Sequence, residues 1–539
     1  MSTGQREYDG FVNEHLPPIA EWPEFLFDSP ELNFPKELNA TTELLDKAVE
    51  EGFGHHTAII GSSIQWTYLE LQQVVNQICH FLVKEQSFQP GNRVLLRGSN
   101  SPWLAACWLA VFKVGGVAVG TMPLLRQKEL SEIVQIAQIS HAICDEVLKE
   151  ELLLTQQSSS FLKQMTFYGP HGSLESQIKD QPTHFDAYPS QSDDPALIGF
   201  TSGTTGTPKG TIHFHRDVMA MCEVFPRHCL KPNSSDIFIG TPPLAFTFGL
   251  GGLLCFPLWA RATTVLIEKL NPELLLQAIE KYQATICFTS PTGYRAMTPL
   301  ARQPQLLTLK KCVSAGEALP IDTRKSWQVA TGLGIYDGIG GTEMIHIYIA
   351  SDPSHYRDGS VGKTLPGYIA KIVNEDMQEV PIGEVGKLAI KGPTGCRYLA
   401  DSRQTNYVQH TWNLPGDMFH QDQDGYFYYH ARIDDMIVTS GYNVSSPEVE
   451  WALLENVAVA ECAVIGVPDD QRGQIIKAFV VLKPGLFGTP QMTLELQDFV
   501  KQKIAPYKYP RAIDYLDTLP RTETGKLQRF RLKQMNGVS

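Results

Sequence analysis

Residues 201–210 read TSGTTGTPKG. Gly203, Gly206 and Gly210 allow a tight turn and let the backbone approach a ligand where a Cβ would collide. Thr201, Ser202, Thr204 and Thr205 bring hydroxyl donors, the turn adds its own N–H groups, and Lys209 adds a cation. Those parts suit a polyphosphate. The preceding Ala196-Leu197-Ile198-Gly199-Phe200 reads as a buried strand, which puts the loop at a strand's carboxyl end, where α/β sheets bind ligands. The loop is not a G-x-x-x-x-G-K-[ST] P-loop, because Pro208 stands five residues after Gly203 and Gly210 follows Lys209. Nor is it a G-x-G-x-x-G turn.

Around this loop the chain alternates. Thr67-Tyr68-Leu69-Glu70 has the capping-box pattern, and Leu71, Val74, Val75, Ile78 and Leu82 follow at helical spacing. Strands are expected at Arg93 to Arg97, near Ala142, at Thr263 to Ile267 and at Thr285 to Phe288, with a helix at Pro272 to Tyr282. Strands spaced by helices predict βαβ units and a mostly parallel sheet. After about residue 360, Gly-rich turns separate short strands, as in a β-rich subdomain. The last hundred residues predict a compact α+β unit: strands at Met436 to Thr439, Ala463 to Val467 and Ile476 to Leu482, and helices at Pro447 to Leu454 and Leu494 to Ile504. Residues 1 to about 40, rich in Pro and aromatics, predict an irregular surface arm.

The 539 residues are too many for one compact core, so at least two domains are expected. A hydrophobic fraction of 43% and a charged fraction of 19% are those of an ordinary soluble protein. A net charge of −13 argues against a nucleic-acid footprint, though not against a nucleotide held locally. Ten cysteines without a C-x-x-C pair read as buried thiols of a cytoplasmic enzyme. The polar N-terminus predicts no signal peptide, and the apolar stretches 103–112 and 244–260 are too short to span a membrane.

TSGTTGTPKG resembles the phosphate-loop signature of the adenylate-forming enzymes, which include acyl-CoA synthetases, aryl-CoA ligases, luciferases and peptide-synthetase adenylation domains. The likeness extends from about residue 40 to about residue 530. It implies a large N-terminal domain, 1–433, of α/β type, and a small mobile C-terminal domain, 434–539, hinged at Asp434. It also implies ATP, Mg²⁺ and coenzyme A. Asp337-Gly338-Ile339-Gly340-Gly341-Thr342-Glu343 is similar to the family's nucleotide motif: Glu343 would hold Mg²⁺, Thr342 would contact phosphate, and Asp337, Gly338 and Ile339 would border adenine. Ser314-Ala315-Gly316-Glu317-Ala318 resembles the segment on adenine's other side, giving Gly316 and Glu317. Asp417 matches the ribose aspartate and Arg432 its nearby arginine.

Pro520-Arg521-Thr522-Glu523-Thr524-Gly525-Lys526 matches the family's lysine motif, in which Lys526 would bridge the attacking carboxylate and the α-phosphate. In a second domain pose Gly441 would line the pantetheine tunnel, and Arg472 falls where some relatives contact the CoA nucleotide. Among family members the benzoate- and 2-aminobenzoate-CoA ligases are most alike by eye, on residues 337–351 and 431–482. By that analogy Phe246, Phe248, Gly249, Gly316, Ile339, Gly340 and His346 line an acyl pocket, although His346 also reads as an ordinary core histidine. Glycines open a flat slot and phenylalanines pack against a ring. Two positions depart from the family: Ile339 stands where many relatives have tyrosine, and Pro415 where threonine is usual.

The expected activity is therefore ATP-dependent ligation of a carboxylic acid to CoA by a monomer or homodimer. A benzoate- or 2-aminobenzoate-like acid leads. A medium-chain or branched fatty acid, or loading of a carrier protein, is the alternative. Phe246-Thr247 stands where amino-acid-adenylating relatives keep Phe-Asp.

Overall fold

The computed structural model describes residues 8–201, 207–301, 306–439, 442–469, 472–504, 506–521 and 527–538. They form two compact units. One comprises Met1–Ala370 with Ile390–Pro415, the other Lys371–Ala389 with Gly416–Ser539. No helix among the described residues is long and apolar enough to cross a membrane.

The first unit contains two large sheets, each parallel at its centre. Among the described residues one has nine strands, ordered Lys363–Thr364, Ile347–Ser351, Ile335–Gly340, Lys311–Ser314, Ile286–Thr289, Ile237–Gly240, Thr263–Val265, Thr57–Ile60, Gln65–Thr67. Its central pairs are parallel and its edge pairs antiparallel. The other has six, ordered Gln164–Tyr168, His141–Asp145, Arg93–Arg97, Val117–Thr121, Pro195–Thr201, Lys209–Phe214, and is parallel except for its last pair. Helices satisfy the crossovers, as parallel pairing requires. The α/β class expected from the alternation is what the chain adopts.

Local rules account for much of this. Thr67 caps the helix Tyr68–Glu85 with a full capping box to Glu70, and Leu71, Val75, Ile78 and Leu82 are buried on its inner face. Asn271 caps Pro272–Tyr282, and Pro272 takes the first turn, where its missing N–H costs nothing. The stretch 103–112 lies within the helix Pro102–Lys113, and the apolar run 244–260 becomes helical turns from Thr247 to Trp259, both packed in the interior. The strand expected at Thr285 to Phe288 runs one residue later, and that at Thr263 to Ile267 stops at Val265. Nine of the ten cysteines are buried and Cys229 is partly so, all as free thiols. The N-terminal arm is less superficial than expected: Val12, Leu32, Leu38 and Ala40 point into the core between short helical turns.

The second unit pairs Asp417–Gln421 with Phe427–Arg432, and Met436–Thr439 with Tyr442–Ser445, all antiparallel. Val459–Asp469 pairs antiparallel with Gly473–Leu482, which takes Ala512–Tyr515 in parallel on its other edge. Helices Ser446–Leu454 and Pro490–Lys503 cover this sheet over a core that includes Val449, Leu453, Val464, Ala478, Leu496 and Val500.

Candidate active site

Strand Pro195–Thr201 turns back as Lys209–Phe214, with Thr201 opposite Lys209 and Phe200 opposite Gly210. The two ends of the motif TSGTTGTPKG thus pair antiparallel. Its centre, with Ser202, Gly203, Thr204 and Thr205, lies outside the described residues. Both ends are anchored. The Thr201 hydroxyl is buried with no hydrogen-bond partner among the described residues. Arg403 donates to the carbonyls of Thr207 and Pro208 at 3.1 and 3.4 Å while gripping Asp401.

The turn Thr342–Met344 follows strand Ile335–Gly340 and meets this hairpin. Gly199 makes that approach possible, because a Cβ there would stand 2.6 Å from the Thr342 methyl. On the same strand as Lys209, His213 donates from Nε2 to the Thr342 carbonyl at 2.7 Å; a carbonyl only accepts, so that nitrogen carries the hydrogen. Its other ring nitrogen faces Asp217 at 3.6 Å. Asp217 is clasped by the Arg397 guanidinium, and both side chains are completely enclosed. Burial works to push the Asp217 carboxyl up, but Arg397 and His213 outweigh it and hold the group below the ordinary range.

Tyr398, the next residue, serves a second pair of charges. Its hydroxyl donates to Glu343 Oε1 at 2.7 Å and accepts from Lys209 Nζ at 2.9 Å, while Lys209 and Glu343 stand 3.8 Å apart. Sequence reasoning found Lys209, Thr342 and Glu343 but passed over His213, Asp217, Arg397 and Tyr398. Each of these four is an unremarked polar residue until the sheet register brings it to the motif residues.

The strand ends beside this turn carry the expected adenine-side residues. Ser314 pairs with Asp337 in register. Gly316 has φ +87° with open space around its missing side chain, so the backbone presents a bare surface there. Glu317 accepts from the Thr292 hydroxyl at 2.7 Å. Asp337 is buried 3.7 Å from Arg324, and burial pushes its carboxyl up to about 7 against the pull of that arginine. Gly338 and Gly340 lie against Ile347 and the His346 carbonyl, with no room for a side chain at either. Ile339 is half-buried on the same strand.

His346 sits in a box of rings: Phe256 edge-on at 4.6 Å, Phe248 at 5.8 Å and Phe225 at 5.9 Å between centroids. Neither ring nitrogen reaches a hydrogen-bond partner among the described residues. Burial pushes it down to about 3, opposed only in part by the Phe248 backbone, so the imidazole is neutral. Phe246 and Phe248 are half-buried at the start of the helical turn Thr247–Leu250, and Gly249 packs directly on the Pro243 carbonyl.

In the second unit, Asp417 and Arg432 face each other across adjacent strands, with Arg432 Nη1 donating to Asp417 Oδ1 at 3.2 Å. Gly416 before them adopts φ +82°. Asp434 lies in the turn Ile433–Asp435. Arg472 is exposed, its N–H bonded to Asp469 at 2.9 Å. Gly441 and Lys526 lie outside the described residues. Arg521 and Leu527 form an isolated antiparallel bridge.

A charged turn beside this hairpin, with glycine-lined strand ends, offers the cation, donors and bare backbone that an anionic nucleotide would need. The model of the AMP-binding enzyme family matches residues 45–398, and that of the AMP-binding enzyme C-terminal domain matches 448–526. The chain belongs to the AMP-binding enzyme family. As such it is an AMP-forming acid–thiol ligase of the acyl-CoA synthetase kind. The enzyme is 34% identical to the benzoate–CoA ligase of Thauera aromatica over 94% of this chain and 97% of that one. Its fold is similar to that of the anthranilate CoA ligase AuaEII in complex with anthranoyl-AMP. The TM-score is 0.89, with 32% identity over 94% of this chain and 99% of that one. A benzoate CoA ligase from Burkholderia xenovorans LB400 gives a TM-score of 0.85 and 30% identity over 92% and 99%.

Proposed function

We propose that this AMP-binding enzyme activates an aromatic carboxylate, of benzoate or 2-aminobenzoate type, with ATP and passes it to CoA. The observation that carries the aromatic reading is the His346 box. A buried, neutral imidazole with no side-chain hydrogen-bond partner among the described residues is ringed by Phe225, Phe248 and Phe256. Its neighbour Gly251 offers the ring space that a Cβ would fill. Such a lining favours a flat ring and leaves a nitrogen for a ring substituent. The benzoate–CoA and anthranilate CoA ligases among its relatives support this reading.

In the first step a carboxylate oxygen attacks the α-phosphorus, forming a C–O–P link as the bond to the β-phosphate oxygen breaks and pyrophosphate leaves. In the second, the thiol sulfur attacks the acyl carbon, the C–O bond to AMP breaks, and the thiol proton is released. The first step brings two anions together, so the protein must supply cations and oriented donors. We assign Lys209 and the hydroxyls of Thr201, Ser202, Thr204, Thr205 and Thr342 to the phosphates, with Gly203 letting the backbone approach them. Gly316, Glu317, Asp337, Gly338 and Ile339 border the adenine, Asp417 and Arg432 take the ribose, and Phe246, Phe248, Gly249, Gly340 and His346 the acid. Lys526 neutralises the attacking carboxylate.

The donor set fits Mg²⁺ held mainly by the substrate. Among the described residues no three His, Cys, Asp or Glu side chains gather as a metal cage, and Glu343 offers one carboxylate beside the hairpin. That suits a hard cation keeping water and phosphate oxygens. When bound it would neutralise phosphate charge. We further propose that the part 434–539 turns about Asp434 relative to 1–433, exchanging Lys526 for Gly441 and Arg472 between the steps, since pyrophosphate must leave before a thiol arrives. The enzyme would act in the cytoplasm as a monomer or homodimer.

The test is AMP release with CoA across a panel of aromatic and aliphatic acids. The highest kcat/KM is expected for benzoate or 2-aminobenzoate. A preference for octanoate or a branched acid would overturn the aromatic reading, and AMP release without CoA-thioester formation would favour carrier loading.

A further inference from the structure

The segment Arg397–Leu399 lies against strand Lys209–Phe214. Ile212 N–H donates to the Arg397 carbonyl and Leu399 N–H to the Gly210 carbonyl, each at 2.8 Å, with Thr211 bridged to Tyr398. Bridged partners share a face, and so do residues two apart on a strand, so Tyr398 comes out beside Lys209. The phenol is buried and backed by Tyr407 edge-on at 5.8 Å, while the Tyr398 backbone N–H donates to Gln404 Oε1 at 2.9 Å. It is a fixed post. Its hydroxyl stands between the ammonium of Lys209 and the carboxylate of Glu343, hydrogen-bonded to both.

Opposite charges 3.8 Å apart would close to direct contact, near ~2.8 Å for N⁺–H···O⁻, if nothing intervened. A direct pair would satisfy both groups internally. An incoming polyphosphate would then have to break it to reach Lys209, and a divalent cation would have to do the same to reach Glu343.

We propose that Tyr398 is a positioning residue: its hydroxyl keeps Lys209 and Glu343 from collapsing into a closed ion pair, so that each remains available for the metal–polyphosphate. This rests on the assignment of Lys209 to phosphate and Glu343 to the cation made above. Tyr398 touches neither reacting atom; it acts through its two neighbours.

The experiment is a double-mutant cycle on the full chain, reading binding directly. Mn²⁺ affinity for the enzyme–nucleotide complex is followed, with the enzyme in excess over nucleotide, by the water-proton relaxation enhancement of protein-bound Mn²⁺, which free Mn²⁺–ATP scarcely gives, and ATP affinity with excess Mg²⁺ by calorimetry. Tyr398→Phe, which removes one oxygen, should weaken both about tenfold, the worth of one charge-assisted hydrogen bond. The KM for the acid should stay unchanged. In a Lys209→Met background the same Tyr398→Phe change should leave Mn²⁺ affinity within about twofold, because no cation remains to collapse onto Glu343. An equal loss in both backgrounds would mean that the phenol merely props the fold, and would overturn the proposal. Glu343→Gln separates the two levels. If it weakens Mn²⁺ binding while Tyr398→Phe does not, only the spacer role falls. If it leaves Mn²⁺ binding unchanged, the cation assignment of Glu343 falls first. Tyr398→His, which keeps a donor on a similar ring, is the second variant should Tyr398→Phe not fold, and is expected to retain at least a third of wild-type affinity for both ligands. A loss as large as that expected of phenylalanine would count against the spacer.

Discussion

Two adjacent residues, Arg397 and Tyr398, serve two charge clusters of opposite character. Arg397 closes directly on Asp217 inside a sealed region, where His213 completes the set. Tyr398 holds Lys209 and Glu343 near each other at a partly open edge without letting them meet. The closed cluster has no charge left to offer and can only fix geometry. The open one retains electrostatic capacity for a ligand. One short stretch of backbone therefore couples the rigidity of the scaffold to the readiness of the site.

The largest effect should come from breaking the closed cluster. Asp217→Ala leaves a buried guanidinium without its partner and should cost about 3–5 kcal/mol, read as a shifted urea midpoint. A loss below about 1 kcal/mol would mean that water or another group reaches Arg397. The open cluster should respond the other way round. Glu343→Gln should change the urea midpoint little but lower kcat/KM for ATP by about 100-fold, the scale of losing a preorganised electrostatic contact. If stability fell and activity did not, the two clusters would have to exchange roles.

His213 sits at the junction. His213→Phe removes the donor to the Thr342 carbonyl and should cost roughly 1–2 kcal/mol of stability. It should also raise the KM for ATP more than that for the acid, because His213 holds the Thr342 turn that we assign to the phosphates. An unchanged ratio of the two KM values would uncouple the clusters.

The remaining effects concern pH and carry opposite signs. His346 is held neutral down to about 3 from an ordinary 6.5, so below 6.5 the unfolded chain binds a proton that the native state refuses. Stability should fall as pH drops through that window, and His346→Phe should flatten the fall. Asp337 keeps its proton up to about 7 from an ordinary 3.8, so its contribution is present at low pH and lost as pH rises through that range. Asp337→Asn should flatten this second slope. Denaturation midpoints at pH 4, 5.5 and 7 test both.

Local signals made much of the fold legible. The Thr67–Glu70 capping box, the helical spacing after it and the proline at the first turn of Pro272–Tyr282 each follow from backbone hydrogen-bond satisfaction within a few residues. Strand ends slipped by one or two positions where pairing with neighbours decided the boundary, as at Ile286–Thr289. The motif residues Lys209, Thr342 and Glu343 were visible because their chemistry is written in consecutive letters. Arg397 and Tyr398 were not, since nothing in GCRYLAD suggests a ligand.

By itself, then, the sequence determined the element types, the α/β class and the family, because periodicity, capping and contiguous motifs are short-range properties of the chain. Only the tertiary structure decided that Tyr398 stands between Lys209 and Glu343, 189 and 55 residues away, and that Arg397 closes on Asp217, 180 residues away. Those meetings depend on the register of strands from distant parts of the chain. A shift of one residue would turn each side chain to the other face, and no local preference encodes that choice.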